Sequence, residues 1–255
     1  FSPELVGIHA MHFQAKFAHR IAQMVKEHLK VPVVIGGPYP SSEPLAALAD
    51  PNIDLAVRGE GEITLVGLIE RLEQGQDLSG LKGLSHRKDG QIINESDREL
   101  IQDLDQIPFP AWDLIELKRF FDWKVLTQNE IRWRKEMATI LTSRGCPYGC
   151  IFCHNMLGKR FRARSPENVV SEMRLLYDQF GVREIHIVDD CFNFDIVRAK
   201  KICQLIIESG MDLKLGFPNG IRGDRLDQEL VDLFKAAGIY KVTFGIESGS
   251  GRIQK

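Results

Sequence analysis

Apolar residues recur along this chain with two alternating periods. Leu5-Val6-Gly7-Ile8 and Val31-Pro32-Val33-Val34-Ile35 are short runs with the length of buried strands. Between them Phe13, Phe17, Ile21, Met24, Val25 and Leu29 recur at intervals of three to four, the spacing of an amphipathic helix over residues 12–29. Strand, helix and strand in that order predict a parallel sheet with a right-handed crossover. The run from Ile53 to Gly59 predicts a further strand, and residues 62–72 a helix with Leu65, Leu68, Ile69 and Leu72 on its inner face. Leu84-Ser85-His86-Arg87 and Gln91-Ile92-Ile93-Asn94 flank Lys88-Asp89-Gly90, a hairpin signal.

The alternation resumes after an irregular stretch. Ile107-Pro108-Phe109-Pro110-Ala111-Trp112 has prolines that exclude a helix, and its aromatics, with Phe120, Phe121, Trp123 and Trp133 beyond, suit a packing seam better than a cleft. Met137-Ala138-Thr139-Ile140-Leu141 predicts a buried strand. Ser165-Pro166-Glu167 has the cap and first-turn proline of a helix start; Val169, Val170, Met173, Leu176 and Phe180 form its stripe, and Gly181 closes it. A strand over Glu184 to Asp190, a helix over 195–208, a strand over Leu213 to Phe217, a helix over Asp227 to Ala237 and a strand over Lys241 to Ile246 follow. This alternation predicts a parallel βα barrel.

Between the strand at 137–141 and the helix at Ser165 lies Thr142-Ser143-Arg144-Gly145-Cys146-Pro147-Tyr148-Gly149-Cys150-Ile151-Phe152-Cys153-His154. Three of the five cysteines fall within eight residues, on a loop whose glycines let it fold back so that the sulfurs can converge on one soft metal centre. Four readings compete. An iron–sulfur cubane held by only three cysteines keeps one iron open for a further ligand. Zinc in a Cys3His set would use His154, but Cys153 and His154 are adjacent and awkward for one tetrahedral ion. A c-type haem or a thioredoxin-like CxxC leaves Cys146 unused. The fourth reading treats the thiols as small buried hydrophobes.

Composition narrows the classes. With 44% hydrophobic and 27% charged residues, the 255-residue chain has ordinary globular composition, and a formal net charge of -2 gives no electrostatic footprint for nucleic acid. No apolar run has the length of a transmembrane span, and no signal peptide is visible. Clustered rather than evenly spread cysteines fit a reducing, cytoplasmic setting. His9, His12, His19 and His28 invite a ligand assignment, but His19 and His28 fall on or beside the polar face of the first helix and read as solvated. Cys191 and Cys203 suggest no role.

The spacing Cys-x3-Cys-x2-Cys, with Phe152 before the last cysteine, resembles the signature of the radical S-adenosylmethionine (SAM) superfamily. Asp189-Asp190, Pro218-Asn219-Gly220-Ile221-Arg222 and Gly245-Ile246-Glu247-Ser248-Gly249-Ser250 stand where members end their second, third and fourth barrel strands. Val34-Ile35-Gly36-Gly37-Pro38 and Arg58-Gly59-Glu60-Gly61-Glu62 resemble the later part of the cobalamin-binding domain of the B12-binding subgroup. The resemblance implies an α/β chain: a partial doubly wound parallel sheet, Rossmann-like and cobalamin-binding, over residues 1–80, a hairpin and linker over 81–136, and a partial (β/α)6 radical SAM barrel, its first four βα units, over 137–255.

It implies three cofactors: a [4Fe-4S] cluster on Cys146, Cys150 and Cys153, SAM, and cobalamin. SAM would meet Asp189 or Asp190 through its amino group, Arg222 through its carboxylate, Phe152 through its adenine, and Glu247 and Ser248 at the next strand end. Gly36 and Gly37 would let the corrinoid approach the backbone, although on spacing alone they read as a tight turn. The activity expected is reductive cleavage of SAM and radical chemistry on an unactivated carbon, as cobalamin-linked methyl transfer or cyclisation. Its partners would be a small-molecule or lipid-like substrate and an electron donor such as ferredoxin or flavodoxin. A methylthiotransferase-like enzyme and a non-enzymatic Fe-S or zinc domain remain as alternatives. Against the family pattern the chain is expected to be a fragment, cut at both ends and weak in cobalamin binding, and Tyr39 stands where many relatives have histidine.

Overall fold

The computed structural model describes residues 2–122, 132–153 and 156–253. Trp123 and His154 lie outside the described residues. The chain divides into two compact units, residues 1–101 and 102–255.

The first unit has strands β1 (Val6–His9), β2 (Val33–Gly36), β3 (Leu55–Val57), β4 (Leu84–Lys88) and β5 (Gln91–Asn94), with helices α1 (Ala15–His28), α2 (Pro38–Ser42), α3 (Pro44–Ala49) and α4 (Gly61–Glu73) between them. The strands lie in the order β1-β2-β3-β4-β5. The first three pair in parallel, and β4 and β5 add antiparallel strands at the β3 edge. The predicted hairpin forms, with Asp89 and Gly90 both at positive φ, as a two-residue turn between twisted strands requires.

The helix faces differ from those the apolar spacing predicts. Helix α1 buries Ala18, Ala22 and Val25, while Phe13 is 77% exposed and Phe17 69%, and Ile21, Met24 and Leu29 are also exposed. In α4 Thr64 and Leu68 are buried, whereas Leu65, Ile69 and Leu72 face outward. A 3.6-residue period fixes the axis of a stripe, but the small stripe of α1 lets the helix lie close on the sheet and wins over the bulky one. His19 is not solvated: its Nδ1 lies 2.7 Å from Asp50 Oδ2 and its Nε2 2.9 Å from the Tyr39 hydroxyl. His28 stays exposed, with its ring nitrogen on the Met24 carbonyl.

In the second unit α5 (Leu117–Phe121) precedes β6 (Met137–Ile140), β7 (Ser143–Arg144), β8 (Arg162–Ala163), α6 (Pro166–Phe180), β9 (Glu184–Ile187), α7 (Ile196–Ser209), β10 (Lys214–Phe217), α8 (Gln228–Ala236) and β11 (Ile239–Val242). Four parallel strands lie in the order β11-β10-β9-β6 and form an open sheet; the described residues contain no closed barrel. Helix α6 starts and stops where the sequence places its caps, and α7 and α8 begin at caps of the same kind. Ser165 Oγ accepts from Asn168 N, Asp195 from Arg198 N and Asp227 from Leu230 N, and Gly181 and Gly210 close α6 and α7 in the left-handed conformation. The core joins Ile185, Ile187 and Leu215 of the sheet to Val169, Met173, Leu176, Ile202 and Ile206 of the helices.

The aromatic stretch before β6 packs only in part: Trp112 and Phe121 are buried within this unit, whereas Phe120 and Trp133 are exposed. Trp112 is buried in the core and its Nε1 donates to Glu172 Oε1 at 3.1 Å. Glu172, itself 1% exposed, also holds Arg164, whose guanidinium lies over the Phe109 ring.

Candidate functional site

Parallel pairing puts the carboxyl ends of β6, β9, β10 and β11 on one edge of the second sheet, where working groups gather in folds of this type. The cysteine loop leaves that edge after β6. It is the connection of a two-stranded ribbon, Ser143 opposite Ala163 and Arg144 opposite Arg162. Gly145 turns the chain at φ 82°, and a Cβ there would lie within 3.0 Å of the carbonyl oxygens of Leu157, Gly158 and Arg160. Only glycine fits a left-handed turn this close to the returning chain. Cys146 N donates to Gly158 O at 3.3 Å, Cys153 N to Cys150 O at 3.2 Å, and Lys159 Nζ to Tyr148 O at 2.7 Å.

The sulfurs of this loop are free thiols, with Cys150 and Cys153 exposed and Cys146 half-buried. Among the described residues no group of three His, Cys, Asp or Glu side chains is gathered to hold a metal ion. Phe152, 70% exposed, projects from the loop.

The two aspartates at the end of β9 part company. Asp189 is 1% exposed and turns inward, accepting from Thr142 N at 2.6 Å, Thr142 Oγ1 at 2.5 Å and Ser143 Oγ at 2.6 Å. Burial pushes its carboxyl above the ordinary range. Arg198 of α7 reaches the same place from behind, donating through Nη2 to Thr142 O and through Nε to Arg164 O. The first residues of the cysteine loop are thus fixed by a buried carboxylate and a buried guanidinium. Asp190 is half-buried. Cys191 is buried, and desolvation first, then the neighbouring Cys146 sulfur, push its thiol up to about 12, so it stays protonated.

At the end of β10 the Arg222 guanidinium lies over the Tyr148 ring, 4.1 Å from its centroid, and Arg222 Nε donates to Asp224 Oδ1 at 2.7 Å. The structure thus joins Arg222 to the cysteine loop. Beyond β11, Glu247 is exposed at φ 59° with its carboxylate folded back toward Gly245, and Ser248 N donates to Ile246 O. Sequence reasoning did not single out Tyr148, Asn193, Phe194 or Arg198; an aromatic inside a Gly- and Pro-punctuated loop was the one available signal, since burial of the others depends on tertiary packing.

In the first unit Gly36 and Gly37 sit at the carboxyl end of β2, beside His9 at the end of β1. Gly37 is at φ 98° and caps α2, and a Cβ there would lie 2.7 Å from His9 Nε2 and 3.0 Å from Ala10 O. Gly59, beyond β3 at φ 69°, would direct a Cβ into open space. The space at Gly37 is thus filled by the His9 ring, and Gly59 is the point at which this edge leaves room for close approach by a flat, bulky ligand. In the second unit three free thiolate-forming groups on an otherwise uncharged stretch fit a soft iron–sulfur centre, and offer no oxygen set for a hard cation.

Comparison with known proteins agrees with both halves. Residues 140–255 match the family model of the radical SAM superfamily, and residues 1–69 that of the B12 binding domain. An uncharacterized methyltransferase of Pyrococcus horikoshii is 35% identical over 257 residues, covering 99% of this chain and 53% of that protein. The cytidylyl-2-hydroxyethylphosphonate methyltransferase of Streptomyces wedmorensis is 32% identical over 282 residues, covering 100% and 52%. The chain spans about half the length of these curated relatives. Among solved structures, the cobalamin-dependent S-adenosylmethionine radical enzyme OxsB, with aqua-cobalamin and S-adenosylmethionine bound, shares the fold at a TM-score of 0.79 and 22% identity, over 99% of this chain and 36% of that one. Two domain matches in the same order as two separately folded units place the chain in the radical SAM superfamily, among its members that carry a B12 binding domain.

Proposed function

We propose that the protein is a radical SAM enzyme in which Cys146, Cys150 and Cys153 hold a [4Fe-4S] cluster and the Gly36-Gly37 edge receives cobalamin. The observation that carries this reading is the cysteine loop itself: three free thiols on a glycine-turned loop, pinned at its root to the carboxyl edge of a parallel sheet. Held by Cys146, Cys150 and Cys153, the cluster would supply the electron for reductive cleavage of SAM, and the corrinoid would supply a carrier for a methyl group. Methyl transfer to an unactivated carbon is the favoured outcome, since both relatives named above are methyltransferases. The substrate would be a small or lipid-like molecule and the electron donor a ferredoxin or flavodoxin. No helix among the described residues is long and apolar enough to cross a membrane.

The protein's own residues orient SAM. Asp190 beyond β9 and Glu247 and Ser248 beyond β11 offer acceptors for its amino group and ribose hydroxyls, and Phe152 a flat face for adenine. Asp189 and Arg222 are left out of this set because the protein already engages them, through Thr142 and Ser143 in one case and Tyr148 and Asp224 in the other. Asp190→Ala and Glu247→Ala are each expected to weaken SAM binding about tenfold, the loss of one charge-assisted hydrogen bond, with iron content unchanged. Titration of the reconstituted protein with SAM, followed calorimetrically, measures this; wild-type affinity in both variants rules the assignment out. Loss of iron in Cys146→Ala, Cys150→Ala and Cys153→Ala tests the cluster ligands.

A further inference from the structure

Between the cysteine loop and the ends of β9 and β10 lies an arrangement that the cofactor assignments do not use. Asn193, fully buried, spends its whole amide on the β10 end: Nδ2 donates to Arg222 O at 2.8 Å and Arg225 O at 2.9 Å, and Oδ1 accepts from Arg222 N at 2.9 Å. Asp224 then fixes the Arg222 side chain through Nε. An arginine held at both backbone and side chain keeps its guanidinium carbon over the Tyr148 ring, 4.1 Å from the centroid. The other side of the contact is equally prepared. Phe194, next to Asn193, meets Tyr148 edge-on at 6.2 Å and packs on Phe161 at 4.9 Å, and Arg225 lies over Phe194 at 5.4 Å. Tyr148 stands midway between Cys146 and Cys150, so a constraint on its ring is a constraint on two of the three thiols.

We propose that Asn193, Arg222 and Tyr148 are positioning residues that hold the middle of the cysteine loop against the sheet edge, with Arg222 acting on the loop through the face of Tyr148. The inference rests on the cluster reading above. The ring and not the hydroxyl does this work, because the Tyr148 oxygen is buried and makes no hydrogen bond, so its removal breaks no contact. The flat guanidinium is needed, since a stacked arginine is not replaced by a group without its planar charge.

The test uses the full chain, reconstituted anaerobically with iron and sulfide, in the variants Arg222→Gln, Tyr148→Ala, Tyr148→Phe and Cys146→Ala. Two readouts are taken: the rate at which excess chelator bleaches the cluster absorbance, and the electron paramagnetic resonance spectrum of the dithionite-reduced protein. Arg222→Gln and Tyr148→Ala are expected to bleach about tenfold faster and to show an altered or broadened spectrum, which a fault in folding elsewhere would not produce. Tyr148→Phe is expected to match wild type on both. Wild-type bleaching and spectra in Arg222→Gln and Tyr148→Ala overturn the inference, as does a Tyr148→Phe variant that behaves like Tyr148→Ala. Loss of iron in Cys146→Ala accompanied by either of those results leaves the cluster assignment standing, whereas full iron retention in Cys146→Ala overturns that assignment and this inference together.

Discussion

Asp189→Ala is expected to destabilise the second unit by about 3–5 kcal/mol, since each buried group left without its hydrogen-bond partner costs about 1–3 kcal/mol. Three groups lose their acceptor at once, Thr142 N, Thr142 Oγ1 and Ser143 Oγ, in a place where water cannot replace it. Arg198, 8% exposed, loses its nearby carboxylate while keeping the carbonyls of Thr142 and Arg164. Asp189→Asn retains an acceptor for Thr142 N, and the two hydroxyls can rotate to accept from its amide, so its cost is expected to be about 1–3 kcal/mol. The pH dependence separates the two forms. Burial raises the folded-state pKa of Asp189 above the unfolded value. Its contribution is therefore full below the unfolded carboxylate pKa of about 3.9 and is lost as pH rises through the folded value. The gap between wild type and Asp189→Asn should accordingly shrink with rising pH. Urea unfolding at several pH values measures both effects, and equal stability of wild type and Asp189→Ala contradicts the buried network.

Gly145→Ala concentrates its effect in the loop. A left-handed alanine costs about 1–3 kcal/mol, and its Cβ would collide with the carbonyl oxygens of Leu157, Gly158 and Arg160, which belong to backbone and cannot rotate away. The cheapest relief is to unpair the ribbon of β7 and β8 and displace the cysteines, leaving the core of β6, β9 and β10 intact. Iron and sulfide bound per chain are expected to fall several-fold while the far-ultraviolet melting curve moves little. Gly149→Ala is the matched control, since a Cβ there meets nothing within 4 Å and its φ is not positive. Equal iron loading by the two variants contradicts the account of the turn.

How much of this the sequence discloses depends on whether a feature is local. The start of α6 and its closing glycine follow from residues beside them, Ser165-Pro166-Glu167 and Gly181, and they fall as predicted. Strand β11 does not: the apolar spacing predicts 241–246, whereas the ladder runs Ile239–Val242. Its partner β10 stops at Phe217, opposite Val242, because Pro218 follows and has no amide to donate, so residues beyond Val242 have no ladder to join. The faces of α1 and α4 were beyond reach for a different reason. Two stripes satisfy one period, and the choice between Phe13-Phe17-Ile21 and Ala18-Ala22-Val25 is made by how closely the sheet lies.

The same division runs through the candidate site. The cysteine spacing is local and legible, as are the glycines at strand ends. The inward turn of Asp189, the clamp of Asn193 on Arg222 and the stacking of Arg222 on Tyr148 join residues 29–74 positions apart and exist only once the sheet has formed. From sequence, adjacent Asp189 and Asp190 are equivalent. Both stand just past the end of β9, where the hydrogen bonds from Thr142 and Ser143 draw the Asp189 carboxylate inward while Asp190 stays half-buried.

The central claim is that three cysteines hold a cluster with one iron left for SAM. Anaerobic reconstitution with iron and sulfide, followed by electron paramagnetic resonance of the reduced protein with and without SAM, tests it most directly. The account predicts a cubane signal whose g-values change on adding SAM and which is missing from Cys146→Ala, Cys150→Ala and Cys153→Ala. A spectrum indifferent to SAM, or stoichiometric zinc in place of iron, would contradict it.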